Sequence, residues 1–389
     1  MNSLPKEADK TKNNAARLKE LQIMPLEWKV MLTQERVREF YEHFDGAVYV
    51  SFSGGKDSTV LLNLVREVFP DAPAVFFNTG LEYPEIREFA MGHENVEEVR
   101  PRWGRRAKTR GKNPNDVLTF LDVVNIYGYP LVSKEVAGSI AEARHLQGGV
   151  GWQKLHRQYK HSGDSGERMY DRSKYLPLFG LPLKISSKCC AALKKGPAGI
   201  YGRAKKRHPI IASMTEESDH RKTAWVKQGG CNAFDGKAPH SNPMAFWTEQ
   251  DVLKYVVETG IEICSVYGDI ACEDEDGFEY NAKEMIQSTT TKLRCTGCNR
   301  TGCIFCAFGA HLEKGETRFQ RLAKTHPRQY EYCIGGGEWR ANDKYDPTLV
   351  GTECWNPKEI WTPNRKGLGM GKVFDMMNGI YGKNFIRYE

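Results

Sequence analysis

Between Val48 and Val68 the pattern of apolar positions changes period. Val48-Tyr49-Val50-Ser51-Phe52 is an almost unbroken β-branched and aromatic run, as in a strand buried on both faces. Val60, Leu61, Leu64, Val65 and Val68 then recur at helical spacing. The alternation returns downstream: residues 74–78 (Ala-Val-Phe-Phe-Asn) predict a second strand, Thr79-Gly80 its turn, residues 83–91 a helix and residues 96–99 a short third strand. Upstream, a helix is expected over residues 33–44. Strands and helices alternating at this spacing predict an α/β fold with a doubly wound, mostly parallel sheet, where ligands collect at the carboxyl ends of strands. Residues 53–58 and 79–82 both lie at such ends.

The rest of the chain is less regular. Residues 100–115 are basic and punctuated by Gly and Pro, as in a loop; Ser133 caps a helix expected over 134–146; and residues 147–170 read as irregular, with Gly148, Gly149, Gly151, Gly163 and Gly166. A buried strand is expected over 209–213, and Thr248-Glu249-Gln250-Asp251 opens a helix in the manner of a capping box, with Asp251 in place of the usual Glu. The acidic run Glu273-Asp274-Glu275-Asp276 reads as solvated surface. The organisation predicted is a loosely held N-terminal arm (1–25) with some helical character, a nucleotide-binding α/β domain (26–260) with an irregular insertion near 147–180, and a C-terminal cysteine-rich, metal-bound region (261–389).

Composition narrows the class. The 389 residues are 40% hydrophobic, with no apolar stretch near the length of a membrane span and a polar start, so neither a membrane partner nor a secretory signal is expected and the cytoplasm is the default location. A net charge of +7 does not by itself demand a polyanion. Its distribution is more informative: Arg100, Arg102, Arg105, Arg106, Lys108, Arg110 and Lys112 surround Trp103, and Lys194, Lys195, Arg203, Lys205, Lys206, Arg207 and His208 form a second cluster. Solvated loops and contact with nucleic-acid or nucleotide phosphate are the two readings. Trp103, Trp152 and Trp225 are core residues or stacking platforms, with core packing the commoner fate, and His311 and His326 fit helix faces or caps better than metal ligands. Eleven cysteines without a signal peptide point to metal or redox chemistry rather than a disulfide framework.

Between the first strand and helix, Ser53-Gly54-Gly55-Lys56-Asp57-Ser58 makes a tight turn. Glycines let the backbone approach an anion, the helix's first N–H groups lack internal partners, and Lys56, Ser53 and Ser58 add donors. An ordinary turn with chance glycines is the alternative. The spacing is neither G-x-x-x-x-G-K-[ST] nor G-x-G-x-x-G. It resembles the PP-loop, S-G-G-x-D-S, of the ATP pyrophosphatase and sulfonucleotide reductase superfamily, also called adenine nucleotide alpha hydrolase-like.

Cys295-x2-Cys298-x4-Cys303-x2-Cys306 places four thiols close together, interleaved with Gly297 and Gly302. Zinc, an iron–sulfur cluster with a fourth ligand from afar, and incidental thiols are the alternatives. The distant candidate is the tandem Cys189-Cys190, which in isolation also suits two small buried hydrophobes. The tandem pair and Cys303-Ile304-Phe305-Cys306 resemble the two halves that hold a [4Fe-4S] cluster in assimilatory adenylylsulfate reductases, whereas the DNA phosphorothioation branch has one such Cys, matching Cys189, plus three downstream. The ligand set this implies is Cys189, Cys298, Cys303 and Cys306, with Cys190 and Cys295 as alternates.

The resemblance extends over roughly residues 24–333: Asn78-Thr79-Gly80-Leu81-Glu82-Tyr83-Pro84-Glu85 and Tyr129-Pro130-Leu131-Val132-Ser133-Lys134-Glu135 look like further family turns, Glu217-Ser218-Asp219-His220-Arg221 like E-S-x-x-R, and Asn242-Pro243 through Trp247-Thr248 like N-P-x-x-x-W-[ST]. The chain is most similar to phage- and mobile-element-associated phosphoadenosine phosphosulfate (PAPS) reductase-like proteins. Two departures stand out: Met214 and Thr215 replace the family's arginines, and Glu353-Cys354-Trp355 is only a faint echo of its E-C-G-L-H motif. The resemblance implies an enzyme binding ATP and Mg²⁺ through Ser53, Gly54, Gly55, Lys56, Asp57, Ser58, Thr79, Gly80 and Glu82. Lys56, Asp57 and Arg221 would be its catalytic residues, and a [4Fe-4S] cluster, or alternatively zinc, its metal centre. Adenylylation-coupled sulfur transfer to nucleic acid, fed by a cysteine desulfurase or other sulfur donor, is the first reading. A true PAPS or adenylylsulfate reductase releasing sulfite and a non-enzymatic nucleotide- or nucleic-acid-binding module with structural zinc are the others.

Overall fold

The computed structural model describes residues 7–160, 170–236, 238–273, 279–281 and 292–389, so acidic residues 274–276 and residues 161–169 of the insertion lie outside the described residues. Two compact units result: Met1–Asn78, Glu82–Arg100 and Pro197–Thr301 form the first, and Thr79–Leu81, Pro101–Gly196 and Gly302–Glu389 the second. The strands are β1 (Val48–Phe52), β2 (Ala74–Phe77), β3 (Val96–Val99), β4 (Leu131–Val132), β5 (His208–Ile210), β6 (Asn232–Ala233), β7 (His240–Ser241), β8 (Ile270–Glu273), β9 (Glu279–Asn281), β10 (Lys292–Cys295), β11 (Ala307–Phe308), β12 (Glu338–Ala341) and β13 (Glu359–Thr362).

The first unit is built on a six-stranded sheet of order β3-β2-β1-β5-β7-β6, in which every neighbouring pair is parallel except β6 and β7. This is the α/β, mostly parallel arrangement expected. From β1 the chain winds outward through β2 and β3 on one side and later through β5 on the other. The carboxyl end of β1 is therefore the place where winding reverses.

Its first helices are α1 (Glu7–Gln22), α2 (Leu26–His43), α3 (Lys56–Val68) and α4 (Pro84–Met91). α3 buries Val60, Leu61, Leu64 and Val65, the stripe read from the sequence. α2 starts nearly two turns before the expected residue 33, because extended Pro25 precedes it and Leu26, Lys29, Thr33, Val37 and Phe40 share one buried face. Lys29 hides that stripe from a hydrophobicity reading; its ammonium is neutralised by Asp251 at 2.7 Å. α1 is held through Asn14 Nδ2, which donates to the Val226 carbonyl at 2.9 Å. β5 is shorter than expected, since the Ser213 N–H donates back to the Ile211 carbonyl and turns the chain. A small antiparallel sheet, β10-β8-β9, carries the approach to Cys295.

In the second unit β4 and β11 pair in parallel, Ala307 opposite Leu131. Ser133 caps the helix Lys134–Ala143, its Oγ accepting from the Val136 N–H at 3.1 Å. The stretch read as irregular contains the helix Val150–Leu155 and the 3-10 turn Ser173–Gly180. Arg144 organises it: the guanidinium donates to the carbonyls of Leu178, Phe179, Leu181 and Leu183 and lies 4.3 Å from the Trp355 ring centre. Burial draws its pKa down to about 9. Trp103, Trp152 and Trp225 are all buried, so none is an open stacking platform. Among the described residues no helix is long and apolar enough to cross a membrane.

Candidate functional site

The strand-to-helix turn after β1 is shaped by Gly54. Its φ is +70°, and a Cβ there would stand 2.8 Å from the Ile86 carbonyl oxygen of α4, so both the torsion and the packing require glycine. Beyond it the hydroxyls are spent on the turn itself. Ser58 Oγ donates to the Gly55 carbonyl at 2.9 Å, accepts from the Ser53 N–H at 3.1 Å and sits 3.0 Å from Ser53 Oγ. Thr59 Oγ1 also donates to the Gly55 carbonyl, at 3.1 Å.

Lys56 is the first residue of α3 and only 3% exposed. Its N–H donates to Tyr267 Oη at 3.1 Å, and its ammonium donates to the Asn299 carbonyl at 2.9 Å and lies 3.0 Å from Glu249 Oε1 and 3.8 Å from Asp57 Oδ1. Burial alone would lower the Lys56 pKa, but the Asp57 and Glu249 carboxylates outweigh it and hold the ammonium above its ordinary value. Asp57 shifts upward, chiefly by burial and further by Glu249, against the pull of Lys56, Arg300 and Arg221. Its Oδ1 is sealed from solvent without a hydrogen-bond partner. Burial pushes Tyr267 up to about 12, so its hydroxyl stays neutral.

Several elements deliver these groups. Thr248 and Asp251 close the expected capping box at the head of the helix Glu249–Thr259, which sets Glu249 over Lys56. The cysteine-bearing segment then crosses the turn that holds Tyr267: the N–H groups of Gly297 and Cys298 donate to the Tyr267 and Val266 carbonyls at 2.8 and 2.9 Å. Gly297 permits this crossing, since a Cβ there would stand 2.5 Å from the Val266 oxygen. Thr301 Oγ1 ends the run 2.6 Å from Tyr267 Oη.

Arg221 and Arg300 converge on one carboxylate. Arg221 pairs with Glu217 within the helical turn, and Arg300 approaches the other Glu217 oxygen at 4.0 Å. Burial and the neighbouring Arg300 charge lower the Arg221 pKa. Two guanidiniums sharing one carboxylate leave positive charge for an added anion.

The predicted residues thus divide. Ser53, Gly54, Gly55, Lys56, Asp57, Ser58, Glu82 and Arg221 belong to the first unit, whereas Thr79 and Gly80 belong to the second. There the Leu81 carbonyl accepts the N–H of Ile304 at 2.8 Å, which joins the 79–81 turn to the Cys303-x2-Cys306 motif. Tyr267, Glu249, Asn299, Arg300 and Thr301 were not singled out as site residues. Glu249 stood in the capping box and Arg300 and Thr301 between the cysteines, but nothing local aims them at Lys56.

Among the thiols, the second unit gathers Cys189, Cys190, Cys303 and Cys306. Cys189 donates to Cys190, which raises the Cys189 pKa; burial and the nearby Cys306 and Cys303 add to the rise. That same hydrogen bond, aided by Lys134, Lys194 and Lys195 against burial, brings Cys190 down to about 6. The pair opens a helix whose next residues, Ala191–Lys195, are wound as a π-helix. Cys295 and Cys298 lie in the first unit: Cys298 Sγ is 3.9 Å from Tyr83 Oη, and the buried Cys295 thiol feels the charges of Lys56, Glu249 and Asp57. Among the described residues no three His, Cys, Asp or Glu side chains stand as a ready metal-binding group. In chemical type, the four thiols of the second unit fit a soft metal.

A doubly wound, mostly parallel sheet with a glycine turn and a helix N-terminus where winding reverses defines the chain's α/β fold. Within it, residues 47–110 match the phosphoadenosine phosphosulfate reductase domain. An uncharacterized protein of Methanocaldococcus jannaschii is 36% identical over 96 residues, 24% of this chain and 18% of the relative, so the chain spans under a fifth of that protein's length. The crystal structure of phosphoadenylyl-sulfate (PAPS) reductase from Candida auris, a phosphate complex, aligns over 68% of this chain and 91% of its own with 14% identity and a TM-score of 0.33.

Proposed function

We propose that the chain is a PAPS reductase-like enzyme of the PP-loop type that binds ATP with Mg²⁺ and couples adenylylation of a substrate oxygen to sulfur transfer. The observation that carries this reading is the setting of Lys56: a buried ammonium at a helix N-terminus, flanked by the Asp57 and Glu249 carboxylates. A cation beside two carboxylates suits a metal-complexed triphosphate, whose charge exceeds what one lysine balances. The likeness of residues 47–110 to the PAPS reductase domain supports a nucleotide at this turn.

In this reading the substrate oxygen attacks the α-phosphorus of ATP, the α–β bridging P–O bond breaks, and pyrophosphate leaves with the charge opposed by Lys56 and the α3 N-terminus. Asp57 would hold Mg²⁺ and Arg221 would face the anionic substrate, with Glu82 of the same unit beside the nucleotide. A hydrosulfide-level sulfur, delivered by a cysteine desulfurase or another donor, then displaces AMP. Nucleic acid is the acceptor proposed, since Arg102, Arg105, Lys108, Arg110 and Lys112 present exposed positive charge on the 100–112 segment. Cys189, Cys190, Cys303 and Cys306 would hold an iron–sulfur cluster that supplies sulfur or redox chemistry when bound; zinc in the same thiols would be structural. The test is pyrophosphate release from ATP and Mg²⁺ by protein reconstituted with iron and sulfide. Sulfite formed from a sulfated nucleotide with thiol reductant, and no pyrophosphate from ATP, replaces this reading with a sulfonucleotide reductase; the match of residues 47–110 to the phosphoadenosine phosphosulfate reductase domain is the observation favouring that second assignment.

A further inference from the structure

The donors that make the glycine turn an anion cradle are already taken by oxygens of the protein. Tyr267 Oη occupies the Lys56 N–H at 3.1 Å, while the Asn299 carbonyl and Glu249 Oε1 occupy the Lys56 ammonium at 2.9 and 3.0 Å. Two of these acceptors are tied together: Tyr267 Oη is bonded to Thr301 Oγ1, two residues from Asn299, and the Tyr267 turn is stitched to the same segment by the Gly297 and Cys298 N–H groups. Glycine 55 faces this arrangement, with a Cβ position 3.1 Å from Tyr267 Oη and 3.4 Å from Thr301 Oγ1. Two separate donors, one at the helix N-terminus and one at the end of the Lys56 side chain, are thus spanned by a connected set of surrogate oxygens.

Building on the nucleotide reading above, we propose that Tyr267, Glu249 and the Asn299 carbonyl set the specificity of the glycine turn, so that a ligand with two anhydride-linked oxyanions displaces them together and a single oxyanion does not. A lone phosphate recovers one hydrogen bond while leaving the opposite surrogate in place, and the linked segment draws the displaced oxygen back. A diphosphate replaces both at once and brings enough charge to compete with Glu249 for the ammonium. Release of the segment also frees Arg300, which it carries, to turn with Arg221 toward the incoming charge.

The proposal is tested by titration calorimetry of the full chain with inorganic pyrophosphate and with inorganic phosphate, without nucleotide. Wild type is expected to prefer pyrophosphate. Removing a surrogate oxygen in Tyr267→Phe is expected to tighten phosphate binding roughly fivefold, about the worth of one net hydrogen bond, and so to narrow the preference. Glu249→Gln, at a partly exposed helix N-terminal position that does not threaten folding, is expected to act in the same direction. If both variants leave the preference unchanged, or weaken the two anions in equal proportion, the surrogate role is wrong while the nucleotide reading stands. If wild type binds neither anion, the nucleotide reading falls and this inference with it.

Discussion

Glu249 Oε1 sits 3.0 Å from Lys56 Nζ, although one residue opens a helix late in the first unit and the other opens the helix directly after β1. The pairing is one-sided in exposure: the lysine side chain is 3% exposed and the glutamate 40%. A buried cation held by a wetter carboxylate, a backbone carbonyl and a neighbouring aspartate keeps its charge yet exchanges partners at modest cost, because the partner that leaves returns to water. The lysine therefore stays ionised while its most exposed partner remains replaceable.

Lys56→Met should therefore abolish anion binding more than it harms folding. Loss of a charge-assisted contact in a buried setting predicts about a 100-fold weaker affinity for pyrophosphate or ATP, about 3 kcal/mol. Calorimetry alongside a urea denaturation midpoint checks this; a large midpoint shift with unchanged affinity would show the lysine to be structural.

Gly54→Ala should destabilise the first unit. The positive φ and the approach of the Ile86 oxygen together predict about 2 kcal/mol or more, read as a lower thermal midpoint with the α3 side chains unchanged in sequence.

Asp57→Asn should raise stability while removing Mg²⁺-dependent nucleotide binding. The folded-state pKa of Asp57 is above its unfolded value, so the group favours the fold below the ordinary carboxylate pKa and that contribution is lost as pH rises through the raised folded value. The thermal-midpoint advantage of the asparagine variant should accordingly be absent in strong acid and grow toward neutral pH. An advantage independent of pH would assign the effect to something other than ionisation.

Metal content separates the two thiol groups. After anaerobic reconstitution with iron and sulfide, broad absorption near roughly 400 nm is expected. Cys190→Ser and Cys306→Ser should lose it, whereas Cys298→Ser should keep it. Loss in Cys298→Ser with retention in Cys190→Ser would restore the ligand set implied by resemblance, and a colourless protein carrying zinc would exclude iron.

What could be read directly from the chain was whatever depends on neighbours in sequence. The β-branched run at 48–52, the helical stripe from Val60 to Val65, the glycine turn between them and the caps at Ser133 and Thr248 are governed by backbone torsions and local hydrogen bonds, so residue type and spacing suffice. The α/β class with a mostly parallel sheet follows from their alternation. The start of α2 was obscured because a buried lysine looks solvent-facing until Asp251 arrives to meet it. Which oxygens surround Lys56, and how the cysteines are shared between units, was decided only by folding. Tyr267, Glu249 and Asn299 reach the turn through strand crossings and a glycine-permitted backbone contact between residues distant along the chain. Long-range packing of that kind leaves no periodicity behind, because it depends on where whole elements dock rather than on the preference of any one residue.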